Sequence, residues 1–206
     1  GRTNGTGAIA IDSAGVIFNF PVTIQAPIIA VNGNITGLNN ASITFNAPTT
    51  NFLNNANIIT NEQNIIFSGK VSLATGSNVT LDTGLTNAGD INFGGTVDGG
   101  GNLVLTTGTG VINLSGAIGG TVPLGSLKIA NSLNVASPSA IAITTTGDLT
   151  TGDTTNPGRA IVLTSNNGTI TTSSTGAIDT SSTTGNGGQI TDRKRVVLEK
   201  IVKIGG

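Results

Sequence analysis

Without a single His or Cys, this chain must do any chemistry with carboxylates, Lys and Arg. That excludes nucleophile–base pairs built on His or Cys and most transition-metal sites. The densest local group is Asp148, Asp153 and Arg159, with Asp179 further along. Two carboxylates about 5–9.5 Å apart can cleave a glycosidic bond. Asp148 and Asp153 stand five residues apart across a Gly-containing turn, within reach of that spacing. Acidic residues also simply fill turns, where an Asp side chain satisfies its own backbone. The turn reading is the stronger, because the chain has no Trp or Tyr to hold a sugar ring.

Gly94-Gly95-Thr96-Val97-Asp98-Gly99-Gly100-Gly101-Asn102 has the outline of a calcium-binding G-G-x-G-x-D roll. Asp90 and Asp98 would then share one ion. The motif occurs once, however, with no Gly at its fourth position, so a plain Gly-rich turn is expected. Thr144-Thr145-Thr146 and Thr169-Ile170-Thr171 hint at a ranked Thr surface of the kind that binds ice. The pairs do not recur each repeat, and Thr suits any exposed strand face. A net charge of −1 with 9 % charged residues offers no basic stripe for nucleic acid outside the C-terminal tail. No catalytic, cofactor or metal residue is therefore assigned.

The elements that would position these groups announce themselves by repetition. Val22-Thr23-Ile24-Gln25-Ala26-Pro27 returns as Ile43-Thr44-Phe45-Asn46-Ala47-Pro48, twenty-one residues on. Ala140–Thr144 is echoed by Ala160–Thr164, and Gly147–Thr151 by Gly168–Thr172. A period near twenty, written in short segments, marks a solenoid. The segments alternate apolar and polar residues, as in Ala8–Asp12, Val16–Phe20, Val79–Asp82 and Leu103–Thr106. Such alternation is that of strands with one buried face. Asn-Gly, Gly-Gly and Asn-Asn pairs punctuate them as turns.

The reading is all-β: a single-stranded right-handed parallel β-helix, a β-solenoid of about 21 residues per coil and roughly nine or ten coils. A β-sandwich would lack the internal repeats. Stacking places Ile24 over Phe45, Ile143 over Leu163 and Leu149 over Ile170. Aligned amides such as Gln25 and Asn46 can ladder between coils. The middle is less regular: Val79–Leu81 and Leu103–Leu105 are twenty-four apart, and Pro123 and Gly125 fall in a protruding loop or broken coil.

The 206 residues are 36 % hydrophobic, enough for a core of Ile, Val, Leu and Ala. Phe18, Phe20, Phe45, Phe52, Phe67 and Phe93 are its large members. No stretch reaches the eighteen or so apolar residues of a membrane-spanning helix. The chain opens Gly1-Arg2-Thr3-Asn4, which reads as an excerpt of something longer. Two parts are expected: a shaft over 1–190 and a basic amphipathic tail over 191–206. The tail holds five of the nine Lys and Arg. Asp192 would cap a short helix carrying Val197, Leu198, Ile201, Val202 and Ile204 on one face, or the segment adds a strand. Either way it serves as an end cap; membrane contact is the lesser reading.

Ile170–Ser182 and Thr184–Ile190, with Leu81-Asp82-Thr83-Gly84 and Leu105-Thr106-Thr107-Gly108, resemble the repeats of filamentous-haemagglutinin-like exoproteins. The likeness covers most of Ala8–Ile190. It implies a β-helical shaft of a two-partner secretion adhesin, exported through an outer-membrane transporter and placed at the cell surface or secreted. It implies adhesion or biofilm attachment, with host or neighbouring-cell glycans and proteins as partners. The Asn-Pro-Asn-Gly-type motif of that family's secretion domain is absent, so the resemblance is to the shaft. The expected function is structural and not enzymatic. The alternatives are a polysaccharide-active β-helical lyase or hydrolase using clustered Asp, and an ice- or surface-binding solenoid.

Overall fold

A computed structural model describes residues 7–129 with their side chains, apart from 87, 88, 108 and 123, and beyond them the backbone of strands between 133 and 192. Short strands follow one another in rounds of three. The first coil is β1 (Ala8–Ile11), β2 (Val16–Phe18) and β3 (Val22–Gln25). The second is β4 (Ile28–Val31), β5 (Ile35–Gly37) and β6 (Ile43–Asn46). The third is β7 (Thr49–Phe52), β8 (Ala56–Thr60) and β9 (Ile65–Phe67). The fourth is β10 (Lys70–Leu73), β11 (Asn78–Asp82) and β12 (Ile91–Phe93). The fifth is β13 (Val97–Asp98), β14 (Asn102–Thr106) and β15 (Ile112–Leu114). The order continues with β16 (Ser126–Ile129), β17 (Leu133–Val135), β18 (Ala142–Thr145), β19 (Leu149–Thr151), β20 (Ile161–Leu163), β21 (Thr169–Thr172), β22 (Ile178–Asp179) and β23 (Ile190–Asp192).

Every pairing among these strands is parallel, and each joins a strand to its counterpart one lap away. Three faces result. Face A stacks β1-β4-β7-β10-β13, face B stacks β2-β5-β8-β11-β14-β16-β19-β22, and face C stacks β3-β6-β9-β12-β15. The protein is an all-β solenoid whose coils lie about 22 residues apart. The described region contains no helix.

Period-two alternation decides which side chains enter the bore. In β8 the order is buried, exposed, buried, exposed, buried, and β14 alternates likewise. Because coils stack in register, the inward residues form columns. Ile35, Ile58, Leu81, Leu105 and Ile129 make one on face B. Val22, Ile43, Ile65, Ile91 and Ile112 make one on face C. Beside it Ile24, Phe45, Phe67, Phe93 and Leu114 make another. The rings of Phe45 and Phe67 stack at 4.7 Å and 5°, and those of Phe67 and Phe93 at 5.3 Å and 5°. Phe52 on face A meets Phe67 edge-on at 6.1 Å. Each such pair adds about 0.5–1.5 kcal/mol beyond burial itself.

The expected match of Ile24 with Phe45 is the observed register, as is the twenty-four-residue step from Val79 to Leu103. Two other matches are corrected. Ile143 pairs with Ile170, not Leu163, and Leu149 pairs with Ile178, not Ile170. Leu163 belongs with Val135 and Asp192. The echo at twenty had linked strands of different faces, because short Ile/Thr segments look alike on all three. Phe20 is also corrected: it lies at a bend after β2 and is 79 % exposed, while Phe18 packs partly against the core. Gly125 lies in an ordered corner, its N–H donating to the Gly101 carbonyl. Pro123 and the segment from Arg193 onward, with its proposed helix or strand cap, lie outside the described residues.

Candidate functional site

Five acidic side chains are described: Asp12, Glu62, Asp82, Asp90 and Asp98. Each accepts a hydrogen bond from the chain itself. Asp12 Oδ1 takes the Ala14 N–H at 3.0 Å, and Asp82 Oδ1 takes the Gly84 N–H at 2.8 Å. Both are side chains closing their own turn. Asp90 Oδ1 takes the Val111 N–H of the next coil at 2.9 Å. Asp98 Oδ1 takes the N–H groups of Thr121 at 2.8 Å and Val122 at 3.4 Å. Glu62 Oε1 accepts from Thr86 Oγ1 at 2.6 Å.

Asp90 and Asp98 therefore each tie one coil to the next. Among the described residues no three His, Cys, Asp or Glu side chains gather as metal ligands. The glycines around Asp98 have a packing reason. Gly99 has φ +114, and a Cβ there would lie 2.0 Å from the Leu73 carbonyl oxygen. The backbone of the coil below passes where a side chain would stand. The group Asp148, Asp153 and Arg159 lies outside the described residues; Asp179 sits in β22, opposite Thr150 in the register.

Amides form the ladders that stacking invites. Asn78 N–H donates to Asn55 Oδ1 at 2.8 Å, Asn102 Nδ2 to Asn78 Oδ1 at 2.9 Å, and Ser126 Oγ to Asn102 Oδ1 at 3.0 Å. One polar rung thus climbs four coils at the corner entering face B. Asn54 Nδ2 donates to Asn32 Oδ1 at 3.1 Å, and Asn113 Nδ2 to Asn92 Oδ1 at 2.7 Å. Gln25 and Asn46 are register partners on face C.

The residue type that sequence reasoning missed is the buried Thr at the corner leaving face B. Thr60, Thr83 and Thr107 are all buried. Their hydroxyls donate across the loop: Thr60 to the Gln63 carbonyl, Thr83 to Gly89 at 2.6 Å, and Thr107 to Gly110 at 3.2 Å. The clip closes loops of different length with the same bond. Where Gly37 replaces Thr, a Cβ would come within 2.5 Å of the Ala41 carbonyl oxygen. The signal in the sequence is Thr60, Thr83 and Thr107 at spacings of twenty-three and twenty-four. It was hidden because Thr is equally at home facing water.

Outward rows mix types. Face B carries Ile17, Thr36, Ile59, Asp82 and Thr106 in one row, and Asn57, Thr80, Val104 and Lys128 in the next. Face C carries Thr23, Thr44, Ile66, Asn92 and Asn113. No row of the described residues is a regular Thr array. The depression beside the amide ladder, lined by Leu53, Asn54, Asn55, Thr75, Gly76 and Ser77, contains no ionisable side chain. Compared with protein-family models, curated proteins and solved structures, the chain finds no match in any of the three.

Proposed function

We propose that this chain is a structural, adhesive shaft that performs no catalysis. One observation carries the reading: all five described carboxylates are spent on holding backbone or hydroxyl groups of the coil itself. A glycoside-cleaving pair needs two carboxyls facing one substrate about 5–9.5 Å apart. Here Asp82 and Glu62 meet around Gly84, but Asp82 already holds the Gly84 N–H and Glu62 the Thr86 hydroxyl, and the bore is packed with aliphatic and Phe columns. A stack in which each coil contacts only its neighbours is built to extend and to bear load along its axis.

The resemblance of the repeats to filamentous-haemagglutinin-like exoproteins supports the finer reading: a surface or secreted bacterial protein, exported by an outer-membrane transporter, presenting its faces to neighbouring cells or matrix. The mixed Thr, Asn and Ile rows offer hydrogen bonds and apolar contact over a flat surface rather than in a pocket. The test uses the purified chain. Incubation with pectate, alginate and hyaluronate is expected to release no unsaturated products or reducing ends. Beads coated with the chain are expected to adhere to a matrix-glycan or cell surface. Product release from any of the polymers would replace the shaft with an enzyme; beads that adhere nowhere would remove the adhesive role.

A further inference from the structure

The corner entering face B does not keep one width. Register partners let it be measured. Val31 to Ile35 spans four positions in the second coil, Phe52 to Ile58 six in the third, and Leu73 to Leu81 eight in the fourth. In the fifth coil it contracts again: Asp98 to Leu105 spans seven positions where Ser72 to Leu81 spans nine. The fourth coil's corner, residues 74–78, therefore overhangs that of the third. Beneath the overhang lies the depression of about 280 Å³ lined by Leu53, Asn54, Asn55, Thr75, Gly76 and Ser77. It falls short of the roughly 300–1,000 Å³ that drug-sized ligands fill, and suits one small ring. Gly76 sits at φ +77 with nothing within 4 Å of where a Cβ would stand, so the lip is open to solvent. On the far side a Cβ at Gly100 would lie 2.9 Å from Thr75 Oγ1, and the glycine leaves that hydroxyl its room.

The side chains of the depression have groups to spare. Asn54 Nδ2 is spent on Asn32 Oδ1, and Asn55 Oδ1 on Asn78, which fixes how both amides are turned. Among the described residues nothing engages Asn54 Oδ1, the Asn55 Nδ2 hydrogens or the Thr75 hydroxyl. An oriented acceptor, an oriented donor and a hydroxyl able to do either thus stand beside Leu53, which is 49 % exposed. Residues 32–34, 53–57, 74–80 and 100–104 include no charged side chain. We propose that this depression seats one ring of a neutral saccharide, its hydroxyls on Asn54, Asn55 and Thr75 and its C–H face on Leu53. A sugar hydroxyl both donates and accepts, which is what this set asks of a ligand. An uncharged corner offers the carboxylate of an acidic sugar no charge-assisted bond. Amides already turned by the ladder lose little freedom on binding. The inference rests on the adhesive reading and adds a selective seat to the broad contact of the faces.

The test follows the isotope-labelled, purified chain by nuclear magnetic resonance during titration with cellotriose, mannotriose, galactotriose and trigalacturonate. At least one neutral trisaccharide is expected to shift the Gly76 N–H and the Asn55 side-chain amide. A dissociation constant on the order of 1 mM is expected for one small ring in an open depression. Thr75→Val and Leu53→Ala should each weaken it about fivefold, the worth of one lost contact. Both should keep the parent's circular dichroism and Tm, because neither side chain is buried. The seat is overturned if no neutral trisaccharide moves those signals, if trigalacturonate moves them as strongly, or if both variants bind like the parent. Coated beads separate this from the adhesive reading. Beads that adhere while the resonances stay still remove the seat and keep the adhesive role. Beads that adhere nowhere remove the adhesive role, and the resonances still decide the seat.

Discussion

The bore and the corners of this solenoid answer differently to the same chain. In the bore, Phe45, Phe67 and Phe93 repeat one ring orientation within 5° between neighbours. At the corner leaving face B, the clipped loops span three residues from Thr60 to Gln63 and six from Thr83 to Gly89. Leu85 in the longer loop is 65 % exposed. Yet the strands on either side of that loop remain in register with those below. Period is thus a property of the inward columns, and chain length is taken up where the backbone turns in water. That is why the repeat reads as twenty-one in one place and twenty-six in another, from Ile65 to Ile91.

The contrast can be broken most severely from the inside. Phe67→Ala removes the ring that touches Phe45, Phe93 and Phe52. Urea unfolding should show a loss of about 3–5 kcal/mol, the range for a buried Phe deleted to a cavity. A loss under 1 kcal/mol would mean the column does not set the stack. Next comes the clip. Thr83→Val keeps the shape but leaves the buried Gly89 carbonyl without its donor, and should cost about 1–3 kcal/mol in the same measurement. Asn78→Ala removes the Oδ1 that accepts from Asn102 and the weak Nδ2 bond to Asn55, while the Asn78 backbone N–H still donates to Asn55. A loss of about 0.5–1.5 kcal/mol is expected there, seen as a lowered Tm. The smallest effect belongs to the loop: Leu85→Ser should stay within about 0.5 kcal/mol of the parent. A loop substitution costing as much as Phe67→Ala would erase the distinction.

Much of this architecture was legible because the physics of stacking repeats itself in the text. The pair Val22–Gln25 and Ile43–Asn46 placed two coils in register without ambiguity, since Pro27 and Pro48 mark the same corner. Toward the C-terminus the segments shrink to Ile and Thr, and every face is written in the same words. There Leu149 and Ile170 looked equivalent, although Leu149 sits on face B and Ile170 in a separate two-stranded sheet of β18 and β21. Hydrophobic alternation says which way a side chain points, not which of three sheets its strand joins. The acids were harder still. Asp90 and Asp98 could be read as metal ligands or turn formers, and the structure gives them a third task, tying one coil to the next. Nothing in a single sequence distinguishes an Asp that accepts from its own turn from one that accepts across a lap.

Because each strand pairs only with its counterpart on the preceding and following coil, the sequence separation closed by a pairing does not grow along the molecule, staying between 19 (Val16 to Ile35) and 29 (Leu149 to Ile178). The entropy of closing a loop is then the same for the fifth coil as for the second. Folding can begin at one completed pair of coils and advance lap by lap, as in other linear repeat arrays. Relative contact order falls as coils are added, so a longer version of this rod need not assemble more slowly per coil than a short one.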